Sequence, residues 1–169
     1  RRESGMHRFT CLLFIAALAG MLTILDSRPA NAQQGKYITE ATVRLSKLVD
    51  AANKAGYSLQ DNSFSIGGGW IQQSRDRWVA IFTVELQEGT KYRFLAAGDV
   101  DAQDVDIEVA QVGTNKIVAR DVAEDPVATV DFTPQSTGRH VVRVRLYASA
   151  NNVPCVCLAI VMSQAPTKN

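Results

Sequence analysis

A chain of 169 residues with 18 Lys and Arg against 17 Asp and Glu carries a formal charge of +1. Such near-neutrality gives no electrostatic case for binding nucleic acid or an anionic membrane. The length suits one ordinary domain with a real hydrophobic core.

The first segment reads as an export signal. From Met6, the basic residues His7 and Arg8 precede an apolar run from Cys11 to Leu25, and Ala30 and Ala32 follow at A-x-A spacing. The run is short for a membrane span. Residues 1–32 are therefore expected to be a signal peptide cleaved after Ala32, with residues 1–5 a gene-model extension; an uncleaved anchor is the alternative. Cleavage would leave Gln33–Asn169, 137 residues with a formal charge of −1, since four arginines leave with two acids. The expected location is the periplasm or the cell exterior.

The spacing next predicts a helix over Tyr37–Ala55. Ala41, Leu45, Leu48 and Ala52 form one stripe with Val49 beside it. Thr39 suits an N-cap, Lys54 the last turn and Gly56 the C′ position. The stretch "YSLQDNSFSIGGGWIQQSRDRW" is rich in turn formers and reads as a connector with one short strand, its Ile66–Trp70 glycines a hinge. They lack the Gly-Lys-Ser/Thr ending of a phosphate loop.

From Trp78 the period becomes two. "WVAIFTVEL" places Ala80, Phe82, Val84 and Leu86 on one face, and "KYRFLAAG" turns Tyr92 and Phe94 inward. "VDIEVAQV" sets Val105, Ile107 and Val109 against Asp106 and Glu108 on the outer, solvent face. "KIVARD" and "VATVDFT" follow, the latter burying Val127 or its neighbour, Val130 and Phe132. "HVVRVRLYA" alternates Val142, Val144 and Leu146 against Arg143 and Arg145. In the last strand, "CVCLAIVM", Val156, Leu158, Ile160 and Met162 suit the core, yet the opposite face is apolar too, so both faces should be covered. The unassigned helical stripe is the expected cover; a homodimer contact would serve as well. The fold class is thus mainly β: an antiparallel jelly-roll-like sandwich of seven to eight strands with one N-terminal helix packed on it. The expected divisions are helix and connector over 33–62, sandwich over 63–163 and a disordered tail over 164–169.

Cys155 and Cys157, the cysteines left after cleavage, stand at i and i+2, at the edge of what a disulfide spans along a strand. They supply half of a four-ligand zinc site with no second cluster. Small apolar packing residues are the first reading, an intermolecular or strained disulfide the second, and metal the last.

The stretches "FTVELQEGTKYRFLAAGD", "DVDIEVAQVGTNKIVARD" and "VDFTPQSTGRHVVRVRLY" resemble the bacterial pre-peptidase C-terminal domain over most of residues 78–162. His140 stands where that family often has an aromatic residue. The resemblance implies a standalone sandwich with a binding or accessory role, toward a protein or a cell-surface polymer, and no peptidase activity.

Candidate sites follow from the residues themselves. Asp99, Asp101 and Asp104 repel one another in a loop, a cost that calcium would relieve, although the stretch lacks the spacing of a helix-flanked calcium loop. Asp side chains capping turn amides are the alternative. Trp70 and Trp78 suit a sugar-stacking platform or a packed seam. Arg143 and Arg145, with Arg93 and Arg120 nearby, suit a basic strip, which acids such as Asp106, Glu108 or Glu85 would neutralise. His140 is the one histidine after cleavage, and no serine or cysteine stands in a nucleophile context, so no catalytic residues are expected. A calcium-dependent adhesion or carbohydrate-binding module is the alternative function, with a small hydrolase behind it. No cofactor besides calcium is implied.

Overall fold

The computed structural model describes residues 30–59 and 64–164. Residues 1–29 of the expected leader and 165–169 of the expected tail lie outside them. In chain order the elements are helix α1 (Ala30–Lys54) and strands β1 (Tyr57–Ser58), β2 (Ser65–Ile71), β3 (Val79–Leu86), β4 (Tyr92–Gly98), β5 (Ala102–Gln111), β6 (Ile117–Asp121), β7 (Val127–Phe132), β8 (Gly138–Ser149) and β9 (Cys155–Gln164). Among the described residues no helix is long and apolar enough to cross a membrane.

The strands form two antiparallel sheets. One has the order β1-β9-β4-β7, with β2 also paired to β9; the other runs β3-β8-β5-β6. From β2 onward the chain passes between the sheets in the order of a jelly roll. The core between them is apolar: Leu86, Phe94, Val105, Ile107, Val109, Val142, Val144 and Leu146 are fully buried there. The inward alternation expected for β4, β5 and β8 holds.

Three registers differ from the sequence expectation. In β3 the pairing with β8 shifts between Ala80 and Phe82, so Val79 and Ile81 pack on the core while Ala80 is exposed. A bulge inserts one residue and reverses the parity behind it, which strict alternation cannot anticipate. In β9 the assignment of faces is reversed. Cys155, Cys157, Ala159 and Val161 enter the inter-sheet core, while Leu158, Ile160 and Met162 face outward. Both faces are apolar, so composition offers no choice between them; the smaller set is the one the narrow inter-sheet space accepts. The third is "SIGGGWI", which is no hinge but strand β2, paired residue by residue with β9 from Ser65↔Val161 to Ile71↔Cys155. Gly68, at φ +150°, makes that pairing sterically feasible: a Cβ there would lie 2.1 Å from the Cys157 carbonyl oxygen.

Helix α1 covers the outer face of the β9-β4 pair, as the doubly apolar last strand requires. Leu45 and Ala52, with Leu48 and Val49 beside them, close on Tyr57, Leu95, Ala97, Ile160 and Met162 in a second apolar cluster. Gly56, at φ +85°, receives the chain after Lys54, the expected C-terminal signal. The N-terminal signal fails. The helix begins seven residues before Tyr37, so Thr39 lies inside it and its hydroxyl donates to the Gly35 carbonyl at 2.9 Å instead of capping. Arg44 reaches beyond the apolar stripe and donates to the Gly98 and Asp99 carbonyls, tying the helix to the end of β4.

With both faces of the β9-β4 pair occupied, the outer face of β3-β8-β5-β6 is, among the described residues, the one with no helix upon it.

Candidate functional site

The outer face of β3-β8-β5-β6 is a lattice of charge and aromatic rings. Strand β8 contributes Arg143, Arg145 and Tyr147 by alternation; β5 contributes Asp104, Asp106 and Glu108; β6 contributes Arg120; and Trp78 stands just before β3. The register places Glu108 opposite both Arg143 and Arg120, and Asp106 opposite Arg145. The side chains follow the backbone. Arg120 Nη2 donates to Glu108 Oε2 at 2.5 Å, Arg143 Nη1 to Glu108 Oε1 at 3.2 Å and Arg145 Nε to Asp106 Oδ2 at 2.6 Å. Arg145 also donates to the Arg75 carbonyl.

Aromatic rings fix the guanidiniums further. Arg145 lies 4.6 Å from the Trp78 ring centre and 4.9 Å from that of Tyr147, and Arg120 lies 5.2 Å from Trp78. Asp106 and Glu108 are only 1% and 2% exposed, so the expectation that they face solvent is corrected. They do project from the outer face, but the long arginine side chains and the rings lie over them.

At one end of this lattice is an open groove of about 230 Å³ lined by Asp104, Asp106, Val122, Glu124, Arg145 and Tyr147. Asp104 is 7% exposed, and its Oδ1 has no hydrogen-bond partner among the described residues. Burial, then the charges of Asp106 and Glu124, push its carboxyl up to about 6. Burial also raises Asp106, against the opposing hydrogen bond from Arg145.

Other sequence candidates are placed elsewhere. Asp99 is fully buried and acts as a staple: Oδ1 accepts from the Asp101 amide at 3.0 Å and Oδ2 from the Val156 amide at 2.6 Å. This is the turn-capping role, and it leaves Asp104 in the groove with other acids. Among the described residues no three His, Cys, Asp or Glu side chains converge as a metal site. Trp70 and Trp78 lie on opposite sheets. Trp70 makes an edge contact with Tyr37 of α1 at 5.5 Å and borders a hollow of about 380 Å³ with Ile71, Arg77 and Pro154. Arg93 is also on the other sheet, paired to Asp131 at 2.7 Å beneath Tyr57.

His140 is buried against Phe132, and its Nδ1 donates to the Gly138 carbonyl at 3.0 Å. Cys155 and Cys157 are free, buried thiols; burial pushes Cys155 up to about 12 and Cys157 higher still, so neither is a ready nucleophile.

Of the residues on this face, Trp78, Asp104, Asp106, Glu108, Arg120, Arg143 and Arg145 were legible in the sequence, while Tyr147 and Glu124 were missed. Tyr147 was accessible from the same alternation that gives Arg143 and Arg145. Glu124 lies in the β6-β7 connection, where no periodicity aims a side chain.

No family model matches the chain, and no curated protein matches it. Among solved structures, an acetyl xylan esterase from the rumen bacterium Butyrivibrio proteoclasticus is similar at 16% identity, covering 65% of this chain and 32% of that one, with a TM-score of 0.35. The CBM22-1–GH10 modules of a Clostridium thermocellum endo-1,4-beta-D-xylanase, complexed with xylohexaose, are similar at 8% identity, covering 65% and 26%, with a TM-score of 0.31. This chain therefore spans a third or less of the length of either protein, and likenesses so remote carry no functional argument.

Proposed function

We propose that this chain is an exported, non-catalytic binding module, as its resemblance to pre-peptidase C-terminal domains implies, and that it holds a hydroxyl-rich cell-surface polymer along the outer face of β3-β8-β5-β6. The observation that carries this reading is the contrast between the two outer faces. On one, α1 closes the β9-β4 pair over apolar residues, while the other carries a continuous lattice of guanidinium, carboxylate and aromatic groups across β5, β6 and β8. Each guanidinium retains donors beyond its ion pair, and carboxylates accept from paired hydroxyls. Groups already ordered by the sheet lose little entropy on binding.

The test is retention on an insoluble cell-envelope polysaccharide. The wild-type protein should be retained, and Trp78→Ala and Tyr147→Ala, shown by melting curves to be folded, should each weaken retention by roughly tenfold. Equal retention of all three proteins would remove this face as the binding surface.

A further inference from the structure

At the end of the sandwich where β5 and β7 finish and β8 begins, a polar ring stands where the core meets solvent. His140 is 4% exposed there, with the Phe132 ring of the other sheet at 5.6 Å. Its Nδ1–H is committed to the Gly138 carbonyl, so in the neutral ring Nε2 is a bare acceptor. That nitrogen has no hydrogen-bond partner among the described residues and, in contrast to Asp104 Oδ1, it is not shut off from solvent. The ring borders a pocket of about 210 Å³ whose apolar side includes Val118 and Phe132 and whose polar side includes Gln111, Lys116 and Ser136. Among the described residues no acid lines this pocket or pairs with Lys116. Thr114 Oγ1 donates to Gln111 Oε1 at 3.2 Å, which leaves the Gln111 amide hydrogens unclaimed. The pocket therefore sets one open acceptor beside an unmatched cation and neutral donors.

We propose that this pocket binds a hydroxylated carboxylate of the size of one sugar residue, a hexuronic acid by class. Lys116 and the Gln111 amide receive the carboxylate, and His140 Nε2 accepts a hydrogen bond from a ligand hydroxyl. The pocket opens at the end of the sandwich and not on the outer face of β3-β8-β5-β6, so the proposal does not depend on that face. Each half of this chemistry excludes a simpler ligand. A neutral sugar leaves Lys116 unmatched. A plain carboxylate has no hydrogen to give to Nε2 and sets its charge against the imidazole lone pair. A cation meets Lys116 with no acid lining the pocket to offset it. Phe132 and Val118 offer an apolar wall to the C–H face of a pyranose ring. The imidazole is already fixed by its Gly138 bond and its Phe132 contact, so binding requires little further ordering of it.

Calorimetric titration of the full chain at about pH 8 with glucuronate, glucose and cyclohexanecarboxylate tests this, alongside the nitrogen NMR signals of the His140 ring. Glucuronate should bind roughly tenfold more tightly than either of the others and should move the Nε2 signal more than the Nδ1 signal. Lys116→Gln should bring glucuronate to the level of glucose. His140→Phe, which keeps an aromatic ring against Phe132, should bring it to the level of cyclohexanecarboxylate; melting curves check both folds. Should His140→Phe not fold, the wild-type ratios and the ring signals still decide. A glucuronate trimer separates the sources: tighter binding than the monomer supports the site with a polymer end as its ligand, and weaker binding supports it with the free acid. Glucose bound as tightly as glucuronate would overturn the carboxylate site, and cyclohexanecarboxylate bound as tightly would overturn the role of Nε2. Binding that leaves the His140 signals unmoved would overturn the pocket. Absence of glucuronate binding would overturn the proposal while leaving the polymer-binding face untouched.

Discussion

Two carboxylates on opposite outer faces pull stability in opposite directions as pH changes. Asp131 is held below its ordinary value chiefly by the hydrogen bond from Arg93, so its contribution is present above 3.8 and is lost as pH falls through the depressed value. Asp104 behaves in the reverse sense. Its folded-state value of about 6 exceeds the ordinary 3.8, so the folded protein holds the proton more tightly. Stability from this group is complete below 3.8 and is lost as pH rises toward 6 and beyond. Asp104→Asn should therefore flatten the decline in melting temperature across that window and raise stability at neutral pH. Thermal unfolding of both proteins over a pH series decides it, and parallel curves would contradict the burial argument. The five acids of "GDVDAQDVDIEV" were legible as a charged loop and strand, and the alternation of Asp106 and Glu108 was correct. Their burial was not legible, because it depends on arginines of β6 and β8, 12 to 39 positions away in sequence.

At the scale of elements, β2 is the informative one. Three consecutive glycines lower strand propensity and mimic a hinge, since the cost of ordering glycine is high. What holds them is close backbone approach to β9, with Gly68 against Cys157 and Leu158. Gly68→Ala should cost about 3 kcal/mol or more, because the Cβ meets backbone that cannot step aside. The expected local signature is loss of amide protection over Ser65–Ile71 with protection retained in β4 and β5; unchanged hydrogen exchange would show that the strand tolerates the side chain. Helix α1 illustrates the converse. Its apolar stripe and its C-terminal glycine were readable, but its start was not, since a cap-forming threonine in mid-helix is indistinguishable from a cap until the upstream residues are placed.

For the whole molecule, the two clusters make a three-layered object: helix, sheet and sheet. The outer cluster depends on Leu45, which is 3% exposed against Leu95, Ile160 and Met162. Leu45→Ala should destabilise by roughly 2–5 kcal/mol through lost burial and the cavity left behind. Chemical denaturation should show one cooperative transition moved to lower denaturant. A change under about 1 kcal/mol would mean that the helix is not part of the cooperative unit.

By itself the sequence determined the class of the fold: period-two patterning, turn residues at regular intervals and one amphipathic stripe admit little besides a helix laid on a β-sandwich. It also required both faces of the last strand to be covered, because its apolar residues leave no wet side. Tertiary structure decided the parity of that strand, the bulge in β3 and the sheet to which each tryptophan belongs. It also decided which acids are paired and which line the groove. Those outcomes depend on cross-strand register and on the reach of long side chains between distant segments, and local periodicity carries no information about either.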